Sequence, residues 1–287
     1  MKIPLSTQRF RLPYSTALLR CLDENHQPIP GAYATGFVRR EGSALFLYTC
    51  WHVVTGFDPN DIRVDLVLPR RRHLHISLQA AEPRAPGTQV IGGLQDVVVP
   101  LYASSSLPSQ PLWMQDDRHR PHPDLNAIGL YVPFWHDLVK IELPSSIYLA
   151  DMQVIAEDSF LPGSGGLLTP GDKCLVVGYP YGFSTVGPTQ PTAVALTRFI
   201  AASSILDRPR QLLLESIGAP AMSGAPVYVE RGENLHFFGV YTGLIYPDHQ
   251  SRQRSEVTAL GTVADISFVL WGHLPLVTTP SEPHAEA

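Results

Sequence analysis

The chain has 287 residues, 44% of them hydrophobic and 16% charged, which is ample apolar material for one large domain or two small ones. Its 21 basic and 26 acidic residues leave a net charge of −5, so nothing in the overall charge draws it to nucleic acid. No run of about 18 uninterrupted apolar residues occurs, which argues against a spanning helix.

The opening residues, "MKIPLSTQRFRLPYSTALL", lack the continuous apolar stretch of a secretory signal. Short runs rich in Val, Leu, Ile, Tyr and Phe then follow one another: "TGFVRR", "ALFLYTCWHVV", "IRVDLVL", "DVVVPLY", "CLVVGYP", "QLLLES", "APVYVE" and "HFFGVYTGLIY". With 27 Pro and 22 Gly punctuating them, these runs predict an all-β, antiparallel fold. The basic run "PRRRHLH", Pro69 to His75, reads as a solvated loop or strand edge rather than a binding patch. Residues 103–124 read as a long surface loop. Residues 151–172 pass from acidic residues to Gly, Ser and Pro, which reads as a linker between two β units, 1–150 and 151–275. Thr262 to Leu274, with Val263, Ile266, Val269 and Leu270 at helical spacing, predicts a short C-terminal helix. Residues 276–287 have little to bury and predict a disordered tail.

The three cysteines, Cys21, Cys50 and Cys174, are too few for a disulfide framework and lack metal-ligand spacing. Reduced thiols in the cytoplasm are the simplest expectation. Cys50 would share a face with His52 on an extended strand, but it reads as a buried structural thiol.

Acyl transfer by a serine needs an exposed hydroxyl, a neutral imidazole, a carboxylate to hold that imidazole, and donors for the oxyanion. In "PAMSGAPVY", Ser223 stands before an apolar strand, and Gly224 lets the backbone bend so that the hydroxyl faces outward. In "YTCWHVVTG", His52 follows an apolar run and is the candidate base, the alternative being a packed histidine that ends a strand.

Taken together, "ATGFVRREGSALFLYTCWHVVTG", "CLVVGYPYGFS", "GAPAMSGAPVYV" and "FFGVYTGLIY" resemble the trypsin-like serine peptidases, above all bacterial members without export signals. The resemblance runs over about residues 15 to 272 and implies a chymotrypsin-like double antiparallel β-barrel of six strands each, with the active site between the barrels. It implies a serine endopeptidase that uses no cofactor or metal, acts on a protein or peptide, and needs neither nucleic acid nor membrane. His52 and Ser223 take the matching places for base and nucleophile. For the acid, Asp124 in "PDLNAIGLYVP" is preferred, with Asp137 in "WHDLVKIELP" second and Asp96 in "LQDVVVPLY" third. The N–H groups of Ser223 and Ala221 would form the oxyanion hole. The family usually has glycine at the latter position, and a Cβ at positive φ costs about 1 to 2 kcal/mol. A strained or collapsed hole is therefore expected, and with it a slow, gated or inactive enzyme, an activating partner protein, or a silent module that only binds peptides. Ile217 would lie near the pocket floor with no carboxylate beside it, which predicts a small or apolar residue before the scissile bond. Gly239, Thr242 and Gly243 would let an extended peptide lie against their strand, unless the glycines only thin that strand for packing.

Overall fold

The computed structural model describes residues 5–59, 62, 71–83, 89–104, 109–147, 149–156, 168–182, 193–204, 211–215, 219–245 and 260–273. A first group of strands comprises β1 (Thr16–Leu22), β2 (Pro28–Glu41), β3 (Ala44–Thr49), β4 (His73–Pro83), β5 (Gln89–Pro100), β6 (Met114–Asp116), β7 (His119–Arg120), β8 (Val132–Pro133) and β9 (Val139–Glu142). A second comprises β10 (Lys173–Gly178), β11 (Val194–Ser204), β12 (Gln211–Leu214), β13 (Pro226–Arg231), β14 (Asn234–Ile245), β15 (Leu260–Ala264) and β16 (Trp271–His273). Three short helices accompany them: α1 (Leu5–Arg11), α2 (Trp51–Thr55) and α3 (Pro123–Ala127).

Six strands of the second group, all but β16, close into an antiparallel barrel, β10-β11-β12-β15-β14-β13. The first differs from the expected six-stranded barrel. Among the described residues seven of its strands join β16 in an eight-stranded sheet, β16-β6-β9-β3-β2-β1-β4-β5, whose pairing does not close on itself, and β7 pairs with β8 apart from it.

The continuous apolar run of β10 has a direct physical reason. Successive side chains of a strand point to opposite faces, and here both faces are covered. Cys174 and Val176 enter the core inside the barrel, while Leu175 and Val177 enter a separate core shared with the sheet. In β13, Val227 and Val229 point inward and Tyr228 points toward the sheet. That shared core joins Phe37, Tyr48 and Leu138 of the first half to Phe237 and Val240 of the second, with Phe37 stacked on Tyr48 at 5.2 Å and tilted against Phe237 at 5.1 Å. Burial of each such side chain contributes about 1.5 to 3 kcal/mol, so apolar packing holds the two halves together. A third core lies on the other side of the sheet around Trp51, Trp113, Leu47 and Ile141.

Three expectations need correction. The helix predicted from Thr262 to Leu274 does not form: Leu260–Ala264 is strand β15, Ile266–Phe268 a single 3-10 turn, and Trp271–His273 strand β16. Val263, Ile266 and Val269 are buried as a helical face would be, but β12 and β14 offer pairing partners on both sides of β15. Asp265 then breaks the pattern by accepting hydrogen bonds from the N–H (3.0 Å) and the hydroxyl of Ser267. β16 returns to the sheet of the first half and pairs with β6. The segment expected as a surface loop is not one throughout either, since Met114–Asp116 forms β6 and Trp113, Gln115 and Asp116 are fully buried. The basic run, finally, is not solvated where it is described: Arg72 is buried and lies over Tyr102 at 5.4 Å. Much of the expected linker, residues 157–167, and all of the expected tail lie outside the described residues. No helix among those described is long and apolar enough to cross a membrane.

Candidate active site

His52 does not end a strand. β3 stops at Thr49, and His52 is the second residue of α2. A helix leaves its first N–H groups without partners, and the residue before this one, Cys50, makes no side-chain cap hydrogen bond. Asp137 supplies what is missing from 85 residues away: its carbonyl accepts from Trp51 N–H at 3.3 Å and its Oδ1 from His52 N–H at 2.9 Å. Its second carboxylate oxygen lies 2.5 Å from His52 Nδ1. One carboxylate thus caps the helix and grips the imidazole, and Nε2 is left for other chemistry. At the other end of α2, Arg71 donates to the carbonyls of His52 and Val53 at 2.8 and 2.5 Å, as a cation at a helix C-terminus should.

The carboxylate at His52 is therefore that of Asp137, where the sequence had favoured Asp124. Asp124 stands exposed in the first turn of α3. The pattern Asp-Leu-Asn-Ala-Ile that recommended it as a strand start is this helical turn, opened by Pro123 and capped by His122. Asp96 lies on β5 and binds Ser77 Oγ at 2.6 Å and His75 at 3.5 Å.

Ser223 sits half-buried in the turn between residues 219 and 225 that enters β13. Met222 is fully buried in the barrel core and anchors the turn. Gly224 follows with φ 90°, and a Cβ there would overlap the carbonyl oxygen of Thr35, so only glycine fits. Gly224 N–H donates to the Tyr241 carbonyl at 2.8 Å, and the Cys50 thiol donates to the same carbonyl at 3.6 Å. The same sulfur lies within 4.8 Å of a ring nitrogen of His52 and a carboxylate oxygen of Asp137. Through Cys50, then, the serine turn is packed against the start of the histidine helix. Ala221 adopts φ 69°, the left-handed conformation expected to cost about 1 to 2 kcal/mol in a residue with a Cβ.

Cys50, His52 and Asp137 also form a donor set that could hold a metal ion. The chemistry of the set is poor for that purpose. Cys50 is fully buried, and burial, followed by the nearby Asp137, pushes its thiol well above the usual range, so the thiolate a metal requires is disfavoured. All three cysteines are free and buried.

Of the residues expected to meet substrate, Ile217 lies outside the described residues. A Cβ at Gly239 would overlap the Ala264 carbonyl, so this glycine serves the close approach of β14 and β15. Thr242 is half-buried and its hydroxyl lies 2.8 Å from that of Thr262. At Gly243 a Cβ would meet nothing within 4 Å among the described residues. Sequence reasoning missed Thr35, Arg71 and His136. Only Arg71 carried a signal, the basic run that contains it.

Next to Asp137, His136 is 4% exposed and its Nε2 has no hydrogen-bond partner among the described residues. Burial lowers its pKa to about 4, with Asp116 opposing that shift and Arg118 adding to it. No protein-family model matches the chain, and no curated protein matches it.

Proposed function

We propose that this chain is a serine endopeptidase of the trypsin-like kind, with Ser223 as nucleophile, His52 as general base and Asp137 as the carboxylate that orients it. The observation that carries the reading is the double grip of Asp137 on His52, through backbone N–H and ring Nδ1. That grip sets the tautomer with the proton on Nδ1, leaving Nε2 to accept a proton from a hydroxyl. Ser223 Oγ attacks the peptide carbonyl while His52 takes its proton. The C–N bond then breaks, the leaving amine receives that proton from His52, and an ester links Ser223 to the acyl half. Water, deprotonated by the same imidazole, attacks the ester and frees Ser223. The N–H groups of Ala221 and Ser223 would bind the oxyanion, and among the described residues neither donates to a protein acceptor. The space beside Gly243, where a Cβ would meet none of the described residues, is compatible with an extended peptide lying along β14.

A fluorophosphonate probe tests the reading, because it reacts only with an activated serine. Wild-type protein should label, and neither Ser223→Ala nor His52→Ala should. Labelling that survives in Ser223→Ala would sink the proposal. An unlabelled wild type that still binds peptides would select a silent binding module on the same fold.

A further inference from the structure

The turn that carries Ser223 belongs to the second half of the chain, yet much of its anchoring comes from one residue of the first. Thr35 of β2 is fully buried. Its N–H donates to the Ser223 carbonyl at 3.0 Å, and its hydroxyl donates to the Ala221 carbonyl at 2.8 Å. The same hydroxyl accepts from Tyr179 N–H at 3.1 Å, and the Thr35 carbonyl accepts from Thr49 Oγ1 at 2.9 Å. All its polar groups are thus committed, and two of them face the turn. Gly178 leaves room for this arrangement, since a Cβ there would lie 2.9 Å from Thr35 Oγ1 and from Met222 Sδ.

Ala221 needs such a hold. An alanine at φ 69° relaxes toward negative φ when nothing opposes it, and that relaxation would rotate its N–H. The peptide that carries the N–H is gripped from one side, where the Pro220 carbonyl accepts from Tyr181 N–H at 2.7 Å. The next peptide is gripped from the other side by Thr35 Oγ1. With both flanking carbonyls fixed, the torsions of Ala221 are fixed between them.

We propose that Thr35 is a positioning residue that holds Ala221 in its left-handed conformation across the junction of the two halves, and so keeps the Ala221 N–H directed for the oxyanion. Its catalytic consequence rests on the peptidase reading; its effect on the turn does not. Thr35→Ser keeps the hydroxyl, and Thr35→Val removes it at nearly the same volume. The fluorophosphonate labelling rate should fall about 100-fold in Thr35→Val and stay within about threefold of wild type in Thr35→Ser, as expected when one oxyanion donor is misdirected. Adding Ala221→Gly to Thr35→Val should recover most of the rate, because glycine adopts positive φ without a hold; a residue with only a packing role would show no such rescue. If Thr35→Val does not fold, Thr35→Cys replaces it, with a weaker donor and an intermediate loss.

Amide hydrogen exchange over residues 219–225 is measured in parallel. Wild type and Thr35→Val labelling at equal rates would overturn the proposal and leave the peptidase reading intact. If wild type itself does not label, the peptidase reading fails and exchange decides: faster exchange of this turn in Thr35→Val than in Thr35→Ser upholds the hold, and equal exchange overturns it.

Discussion

The two sides of the site are secured by different physics. On the base side, a charged group does the work: Asp137 caps α2 and grips His52, with Arg71 at the far end of the same helix. On the nucleophile side no charged side chain bonds the turn among the described residues. The turn is shaped by backbone carbonyls, the Thr35 hydroxyl, a glycine with no room for a Cβ and an alanine at positive φ. A charged hydrogen bond can be removed with little change of shape, whereas a steric fit cannot. Removing the charged grip of Asp137 should therefore act mainly on chemistry, whereas filling the space at Gly224 should act mainly on the fold.

The sharpest way to break this comparison is Asp137→Asn. It keeps the shape but exchanges an acceptor for an amide, and turnover should drop about 10,000-fold, as when a triad carboxylate is lost. Asp124→Asn, on the exposed turn of α3, should leave turnover unchanged. Equal losses in both variants would refute the assignment. Next in size, Gly224→Ala should destabilise the protein by about 3 to 5 kcal/mol, combining an unfavourable φ with overlap against Thr35. Denaturant unfolding measures it, and a loss under about 1 kcal/mol would show that the turn is looser than its contacts imply.

The third prediction concerns pH and the base side alone. Folding lowers the His136 pKa from its ordinary 6.5 to about 4, so between those values the unfolded chain binds a proton that the folded chain refuses. Stability is full above pH 6.5, declines as pH falls toward 4, and levels off below it. The loss should be on the order of 3 kcal/mol. Denaturant unfolding at neutral and acidic pH should show this slope in wild type and a flatter one in His136→Leu. An unchanged slope would assign the pH dependence to other groups.

Much of the architecture was legible from short-range pattern. Apolar runs between turn residues announced strands, and the continuous runs of β10 and β13 reflect burial on both faces. Ser223 and His52 carried only weak local marks, a turn before a strand and an apolar run, and were singled out through the resemblance of the combined stretches. Ala221 was flagged by the resemblance, which puts a glycine at that position, and it does adopt φ 69°. The acid was not legible. Asp124 and Asp137 both precede apolar residues, and the difference between a helical turn and a capping loop does not lie in that pattern. Asp137 acts on a helix 85 residues earlier, a separation over which no periodicity operates.

The same division explains the helix that failed to form. Val263, Ile266 and Val269 have helical spacing, but β12 and β14 compete for the backbone of β15, and β6 for that of β16. Local sequence by itself determined which segments are extended, where turns interrupt them and which residues could do acyl chemistry, because propensity, alternation and side-chain chemistry act within a few residues. Tertiary structure alone decided which carboxylate meets His52, how Thr35 reaches the Ser223 turn, and that the last strand returns to the first sheet. Those choices depend on long-range hydrogen bonds and shared apolar burial, which exist only once the chain has folded.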